Sequence, residues 1–186
     1  MYYELRSDIL AERSITQDAP LPGFGTDFIS GVPIQPALPS PLIFPSNFDQ
    51  RNPPRGMEGM SIPVWSQAFV DLLRSIGIDN FEAFPAIIRG LEEGVEWSDY
   101  LAVNVIGLVA ATDLSKSKYL EITRTPGAPY LGITDLVIDE SKARGLDMFR
   151  LAENWTTLVV SQRVIDALRD NPRLGGWGIT AFDIES

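Results

Sequence analysis

One stretch of this chain occurs twice. Val64-Trp65-Ser66-Gln67-Ala68-Phe69-Val70-Asp71-Leu72-Leu73-Arg74 returns 95 positions later as Val159-Val160-Ser161-Gln162-Arg163-Val164-Ile165-Asp166-Ala167-Leu168-Arg169. The likeness resumes at an offset of 98, where Ala83-Phe84 matches Ala181-Phe182, so the second connection is three residues longer. A duplicated segment constrains the architecture more than composition does, because both copies must bury the same face. It says nothing of function.

Each copy reads as strand, helix, strand. The runs Ser61–Trp65 and Thr156–Val160 are rich in branched and aromatic residues, which favour extended backbone. Ser66 and Ser161 then stand where an N-cap belongs. Phe69, Leu72, Leu73 and Ile76 share one helical face, and Val164, Ala167 and Leu168 occupy the matching face of the second copy. Asp71 with Arg74, and Asp166 with Arg169, lie off that stripe as solvated i,i+3 pairs. Gly77 and Gly175-Gly176 are the expected helix stops, and Phe81–Phe84 and Trp177–Ile184 the returning strands. The shared Ser-Gln-x-x-x-Asp is therefore a cap and a helix surface, not a site.

The rest of the chain is richer in strands than helices. Residues 2–10 predict an opening strand, and Tyr100–Asp113 the strongest one, with Tyr119–Thr123 and Leu136–Asp139 as shorter ones. Thr125–Pro129 reads as a turn, Asp139–Ala143 as a single helical turn, and Met148–Leu151 as the lead into the second unit. Nine of the fourteen prolines fall between Pro20 and Pro54, which forbids long helices and central strands there. That stretch also carries Phe24, Phe28, Leu42, Phe44 and Phe48, too aromatic for a linker, so it predicts an ordered arm tipped by a mobile loop around Asn47–Gly59. The expected fold is α+β: a mostly antiparallel sheet with two related strand-helix-strand units and a proline-rich N-terminal arm. Residues 1–59 form the opening strand and the arm packed on the domain, and residues 60–186 form the α+β domain itself.

Two absences narrow the chemistry. With no histidine and no cysteine, imidazole acid–base catalysis, Ser-His and Cys-His nucleophiles and His- or Cys-based zinc sites are excluded. Carboxylate, Ser-Lys or Thr, and all-oxygen metal chemistry remain. Ser115-Lys116-Ser117-Lys118 has a Ser-x-x-Lys spacing but follows a strand and lacks the partner motifs of such enzymes. Gly23-Phe24-Gly25 lacks the third glycine of a dinucleotide site. The four tryptophans read as core or core-edge residues. No cofactor and no enzyme activity are expected.

Fifteen basic against 25 acidic residues give a net charge of −10. Such a surface repels nucleic-acid phosphates and attracts a basic protein. No apolar run approaches the roughly 20 residues that cross a bilayer, and Met1–Arg6 does not resemble a signal peptide, so a cytoplasmic location is expected. The densest acidic cluster is Glu92, Glu93, Glu96 and Asp99. It lacks the ligand order of a calcium loop. A solvated loop is the plain reading, and a docking patch for a basic partner the functional one.

The second half resembles a known family. Leu136–Lys142, Phe149-Arg150-Leu151, Leu158–Arg163, Ala167-Leu168 and Gly176–Phe182 are similar to the closing block of a bacterial immunity-protein family. That family is a former domain of unknown function named for a myxobacterial immunity protein, and it occurs in polymorphic toxin systems. Tyr100–Asp113 resembles its central strand, and Val64–Gln67 with Leu72-Leu73 its first unit, so the likeness covers about residues 60–184. It implies a non-enzymatic inhibitor that binds a cognate antibacterial toxin, with type VI secretion among the delivery routes. Net acidity points to a nuclease, whose basic groove an acidic protein can fill. A structural or regulatory interaction module without a toxin is the alternative.

Overall fold

The computed structural model describes residues 1–8, 12–23, 25–59, 61–122 and 130–185. Its elements are β1 (Tyr2–Ser7), β2 (Leu42–Pro45), β3 (Met57–Gly59), β4 (Pro63–Ser66), α1 (Gln67–Ser75), β5 (Phe81–Arg89), β6 (Glu96–Val105) and β7 (Leu108–Val109). They continue as β8 (Lys118–Glu121), β9 (Leu131–Asp135), α2 (Glu140–Ala143), β10 (Met148–Leu151), β11 (Leu158–Ser161), α3 (Gln162–Asp170) and β12 (Ile179–Ile184). The repeated stretches are β4-α1-β5 and β11-α3-β12, as the sequence predicts. The fold is α+β, with helices few and short. The β2–β5 and β7–β10 ladders are parallel; the other ladders between these strands are antiparallel.

The residues shared by the two copies make the same local contacts. Gln67 Nε2 donates to Asp71 Oδ1 at 2.8 Å and Gln162 Nε2 to Asp166 Oδ1 at 3.0 Å, an i,i+4 link on each exposed helix face. The copies differ at their ends. Ser66 caps α1 by accepting from the Phe69 amide, whereas the Ser161 hydroxyl donates to Asp147 instead and gives α3 no side-chain cap. Gly77, at φ +79°, closes α1 with its amide on the Arg74 carbonyl. α3 stops earlier than its glycines: Asn171 donates back to the Ala167 carbonyl and Pro172 cannot continue the helix, so Gly175-Gly176 belong to the following turn. Arg169 pairs with Asp166, but Arg74 lies over the Phe81 ring and not on Asp71.

The duplication extends to strands that share almost no sequence. One sheet has the order β2-β5-β6-β4-β3 and the other β12-β1-β11-β10-β7. In the first, Tyr100 of β6 lies between Ser66 and Ala86; in the second, Tyr2 of β1 lies between Ser161 and Ile184. Both flanking registers make β1 the counterpart of β6, at the same offset of 98 that relates β5 to β12. Outside them, Met57 sits opposite Trp65 as Met148 sits opposite Val160, so β3 corresponds to β10. The parallel pairing of Ile43 with Ile87 recurs as a single bridge from Val137 to Glu185. Each unit is thus a strand-helix-strand with an antiparallel strand inserted between its two strands. In the first that strand follows directly; in the second it is the N-terminus of the chain.

Period-2 alternation sorts the side chains into layers. Trp65, Val103, Leu5, Leu158 and Val160 face inward, and with Phe69, Val70 and Leu73 of α1 and Val164 of α3 they form one core between the units. Val64, Tyr100, Ala86 and Ala102 face the other way and are covered by Phe28, Leu42, Phe44 and Phe48 of the proline-rich stretch. On the second unit Tyr2, Val159 and Ile184 face Ala111, Ile138 and Ala143 of the middle section. β2 joins β5 only from Ala86 onward, beyond Pro85, which has no amide to offer. Tyr100 donates its hydroxyl to the Pro54 carbonyl at 2.7 Å, tying the 47–59 segment down, and that segment ends in β3.

Three strand expectations shift. The Tyr100–Asp113 strand begins at Glu96 and ends at Val105; Gly107, at φ +95°, then redirects the chain into the other sheet as β7. Leu136–Asp139 contributes only bridges, while Leu131–Asp135 forms the strand β9 that pairs with β8. The opening strand spans Tyr2–Ser7, and residues 9–10 of the expected strand lie outside the described residues. The turn expected at Thr125–Pro129 lies outside the described residues. α2, capped by Asp139, is the expected single turn.

Candidate functional site

The acidic connection between β5 and β6 is a tight hairpin. Gly90 donates to the Val95 carbonyl at 2.7 Å, and Gly94 takes φ +82°, a conformation open to a residue without a side chain. Leu91 donates to the Phe48 carbonyl and Trp97 meets the Phe48 ring edge-on, fixing the hairpin base to the proline-rich stretch. Glu92 and Glu93 stand at the tip, exposed. Glu96 and Asp99 lie on β6, where residues three apart would ordinarily point to opposite faces. A register shift between Trp97 and Tyr100 absorbs one residue; both aromatics pack on the arm-covered side, and Glu96, Ser98 and Asp99 are all exposed. The four carboxylates therefore belong to one solvated edge. Glu96 pairs with Arg89 at 2.8 Å, and Glu92, Glu93 and Asp99 make no ion pair among the described residues. No group of three carboxylates there could hold a metal ion. The edge carries exposed negative charge.

The other sequence candidates are occupied structurally. Ser115 donates to Asp113, Ser117 Oγ accepts from the Val137 amide, and Lys116 and Lys118 pair with Asp113 and Asp135, so no serine meets a lysine as a base. Trp65 is fully buried, Trp177 and Trp97 pack against core clusters, and Trp155 meets Tyr130 in a tilted ring contact at 4.4 Å.

Two buried charges escape a reading of the sequence. Arg150, only 4% exposed, spends Nη1 on the carbonyls of Trp155 and Thr156 and leaves Nε without a partner. Burial pulls its guanidinium down to about 10, against the opposing pull of Asp27. Glu58 on β3 accepts from the Arg55 amide, and burial raises its carboxyl above the ordinary value. Both border a cleft of about 490 Å³ between β1, β3 and β10. The signal available was Arg150's place between Phe149 and Leu151 in a short apolar strand, where every side chain ends up buried.

The family model of an immunity protein family, Imm11, matches residues 2–183. The chain belongs to that family. The match runs through the N-terminal strand and the proline-rich stretch, further than the likeness in residues 60–184 that the motifs carry. Comparison with curated proteins gives no match. As a member of Imm11 the chain is an immunity protein, whose partner is a cognate toxin. Among the described residues no helix is long and apolar enough to cross a membrane.

Proposed function

We propose that this Imm11 member neutralises an antibacterial nuclease by covering its active site, acting in the cytoplasm of the producing cell against an effector of a polymorphic toxin system such as type VI secretion. The observation that carries the reading is the family match over residues 2–183 together with a net charge of −10. A nuclease needs a basic groove for its phosphate substrate, and an acidic protein is drawn to that groove and competes for it. Glu92, Glu93, Glu96 and Asp99 are the proposed steering edge, since they are exposed and three of them are unneutralised. Inhibition by occlusion needs no catalytic group and no cofactor. Residues 1–59 are proposed to be an N-terminal strand and a proline-rich arm packed on the 60–186 domain, in keeping with the place of β1 between β11 and β12 and the buried Phe28, Phe44 and Phe48.

The test is association with the toxin domain encoded beside this chain. Co-expression relieves its toxicity, and the association rate falls about 10-fold or more between low and high salt. Reversing the four carboxylates to lysine slows association by about 10-fold and changes dissociation little. An association rate indifferent to salt removes the electrostatic mechanism while leaving immunity intact. Failure to relieve toxicity removes the toxin assignment and favours an interaction module.

A further inference from the structure

Among the described residues three buried side-chain polar atoms have no hydrogen-bond partner: Trp65 Nε1, Asn104 Oδ1 and Arg150 Nε. Trp65 and Asn104 are wholly enclosed, whereas Arg150 borders the cleft of about 490 Å³ between β1, β3 and β10. Only one side of its guanidinium is used. Nη1 donates to the carbonyls of Trp155 at 3.1 Å and Thr156 at 3.3 Å, while Nε and Nη2 donate to nothing among the described residues. Asp27 acts on this charge from beyond ion-pair distance, its carboxylate turned to the Ile29 amide at 2.9 Å. A cation that is 4% exposed and has no counter-ion is costly to keep.

The unused side has a defined chemistry. Nε–H and the adjacent Nη2–H are parallel donors that match the two oxygens of one carboxylate. Arg6, on the wall of the same cleft, shows that edge filled: Nε donates to Glu4 Oε1 at 2.6 Å and Nη2 to Glu4 Oε2 at 2.9 Å. We propose that the cleft binds a carboxylate on a short aliphatic stem, held by the Nε and Nη2 edge of Arg150. The stem suits the apolar wall of Leu5, Ile29, Met57, Pro63 and Leu158. Glu58, 8% exposed on the same cleft and without an ion pair among the described residues, disfavours a doubly charged phosphate. Nε is sealed from solvent, so the incoming group meets Nη2 first and a small shift of the side chain completes the pair. Two sources can offer this group: a free small monocarboxylate, and a glutamate or aspartate of the cognate toxin. Only the second rests on the immunity reading above.

The experiment titrates the intact chain with butyrate, and with butyramide at equal ionic strength as the uncharged control. NMR follows the Nε–H resonance of Arg150 and the amides of Leu5, Met57 and Gly59. Expected is a saturable shift with a Kd on the order of 1 mM for butyrate, and none for butyramide. Arg150→Lys keeps the charge but lacks the paired donors, and should bind butyrate about 10-fold or more weakly. If that variant does not fold, the comparison of butyrate with butyramide on the wild-type chain decides alone. A shift that stays linear in butyrate, or that butyramide reproduces, overturns the site. The toxin domain encoded beside this chain then separates the sources. A toxin that competes with butyrate and shifts the same Nε–H resonance assigns the site to a toxin carboxylate. A toxin that binds while butyrate affinity stays unchanged assigns it to a free carboxylate. A toxin that does not bind at all removes the immunity reading and leaves the butyrate result standing.

Discussion

The first unit is one continuous run of chain from Pro63 to Val105, whereas the second borrows its middle strand from Tyr2–Ser7. Yet the two sheets share register to the residue. What they do not share is filling. The first contributes Trp65, Phe69 and Leu73 to the common core where the second contributes Val160, Val164 and an outward or half-buried helix face. The first has its outer face covered by the proline-rich stretch, and the second only partly by the middle section. The lesson is that backbone pairing and helix placement fix this frame, while volume and cover are free to diverge. One unit has become the structural anchor and the other presents an open face.

If the first unit anchors the core, truncating matched residues should cost unequal amounts. Trp65, fully buried between Phe69 and Phe81, should lose about 3–5 kcal/mol on Trp65→Ala, against about 2 kcal/mol for Val160→Ala. Urea unfolding with matched m-values measures both. Equal losses would mean the two units support the core alike, and the asymmetry of volume carries no energetic weight.

The next largest contrast lies at Glu58, which occupies the position that Phe149 fills in the second unit. Burial raises the Glu58 carboxyl, so the folded state holds this proton more tightly than the unfolded chain does. The sign follows from that. The contribution is favourable below the ordinary value of 4.5 and is lost as pH rises through the higher folded value, staying lost at neutrality. Glu58→Gln should therefore stabilise at pH 7, by about 1.4 kcal/mol for each pKa unit of displacement, and should converge on wild type near pH 4. Asp49, Asp113 and Asp139 are held low, first by hydrogen bonds to Asn52, Ser115 and Ser141. Their contributions are lost only as pH falls below 3.8, a separate window. A Glu58→Gln gain that does not vanish toward pH 4 would come from packing and not from charge.

How much of this was written in the sequence differs between the parts of each unit. The helices and the strands flanking them were legible because Ser, Gln and Asp recur at fixed spacing and each has a local job: cap or turn contact for Ser, i,i+4 link for Gln and Asp. The middle strands were not. Tyr100–Val105 and Tyr2–Ser7 share a tyrosine and little else, since a strand's neighbours read its backbone and one residue in two suffices to bury a face. The Met57 and Met148 match was hidden by loops of unequal length before β4 and β11. The acidic edge was visible as composition, but its shared exposure depends on one extra residue between Trp97 and Tyr100, which no pattern announced. The open face around Phe182 could not be seen at all. It is defined by a contrast: Phe84 is met by Phe28, whereas its counterpart Phe182 is exposed among the described residues.

The smallest contrast is the sharpest test of that reading, because the residue is identical in both units. Ser66 Oγ accepts from the Phe69 amide and also from Arg173 at 3.2 Å, inside a buried site. Ser66→Ala leaves an amide of the first helical turn and a guanidinium without that acceptor, and should cost about 1–2 kcal/mol. Ser161 has turned its hydroxyl to Asp147, which Arg163 also holds at 2.6 Å, and Arg163 reaches in turn to the Ile76 carbonyl at the end of α1. Ser161→Ala removes one hydrogen bond and no cap, for about 0.5–1 kcal/mol. In an Asp147→Ala background the same substitution should cost close to nothing, since the hydroxyl then has no partner to lose. A second-unit serine that still costs as much as the first in that background would show that it caps α3 after all, and the two units would be alike where their sequences are.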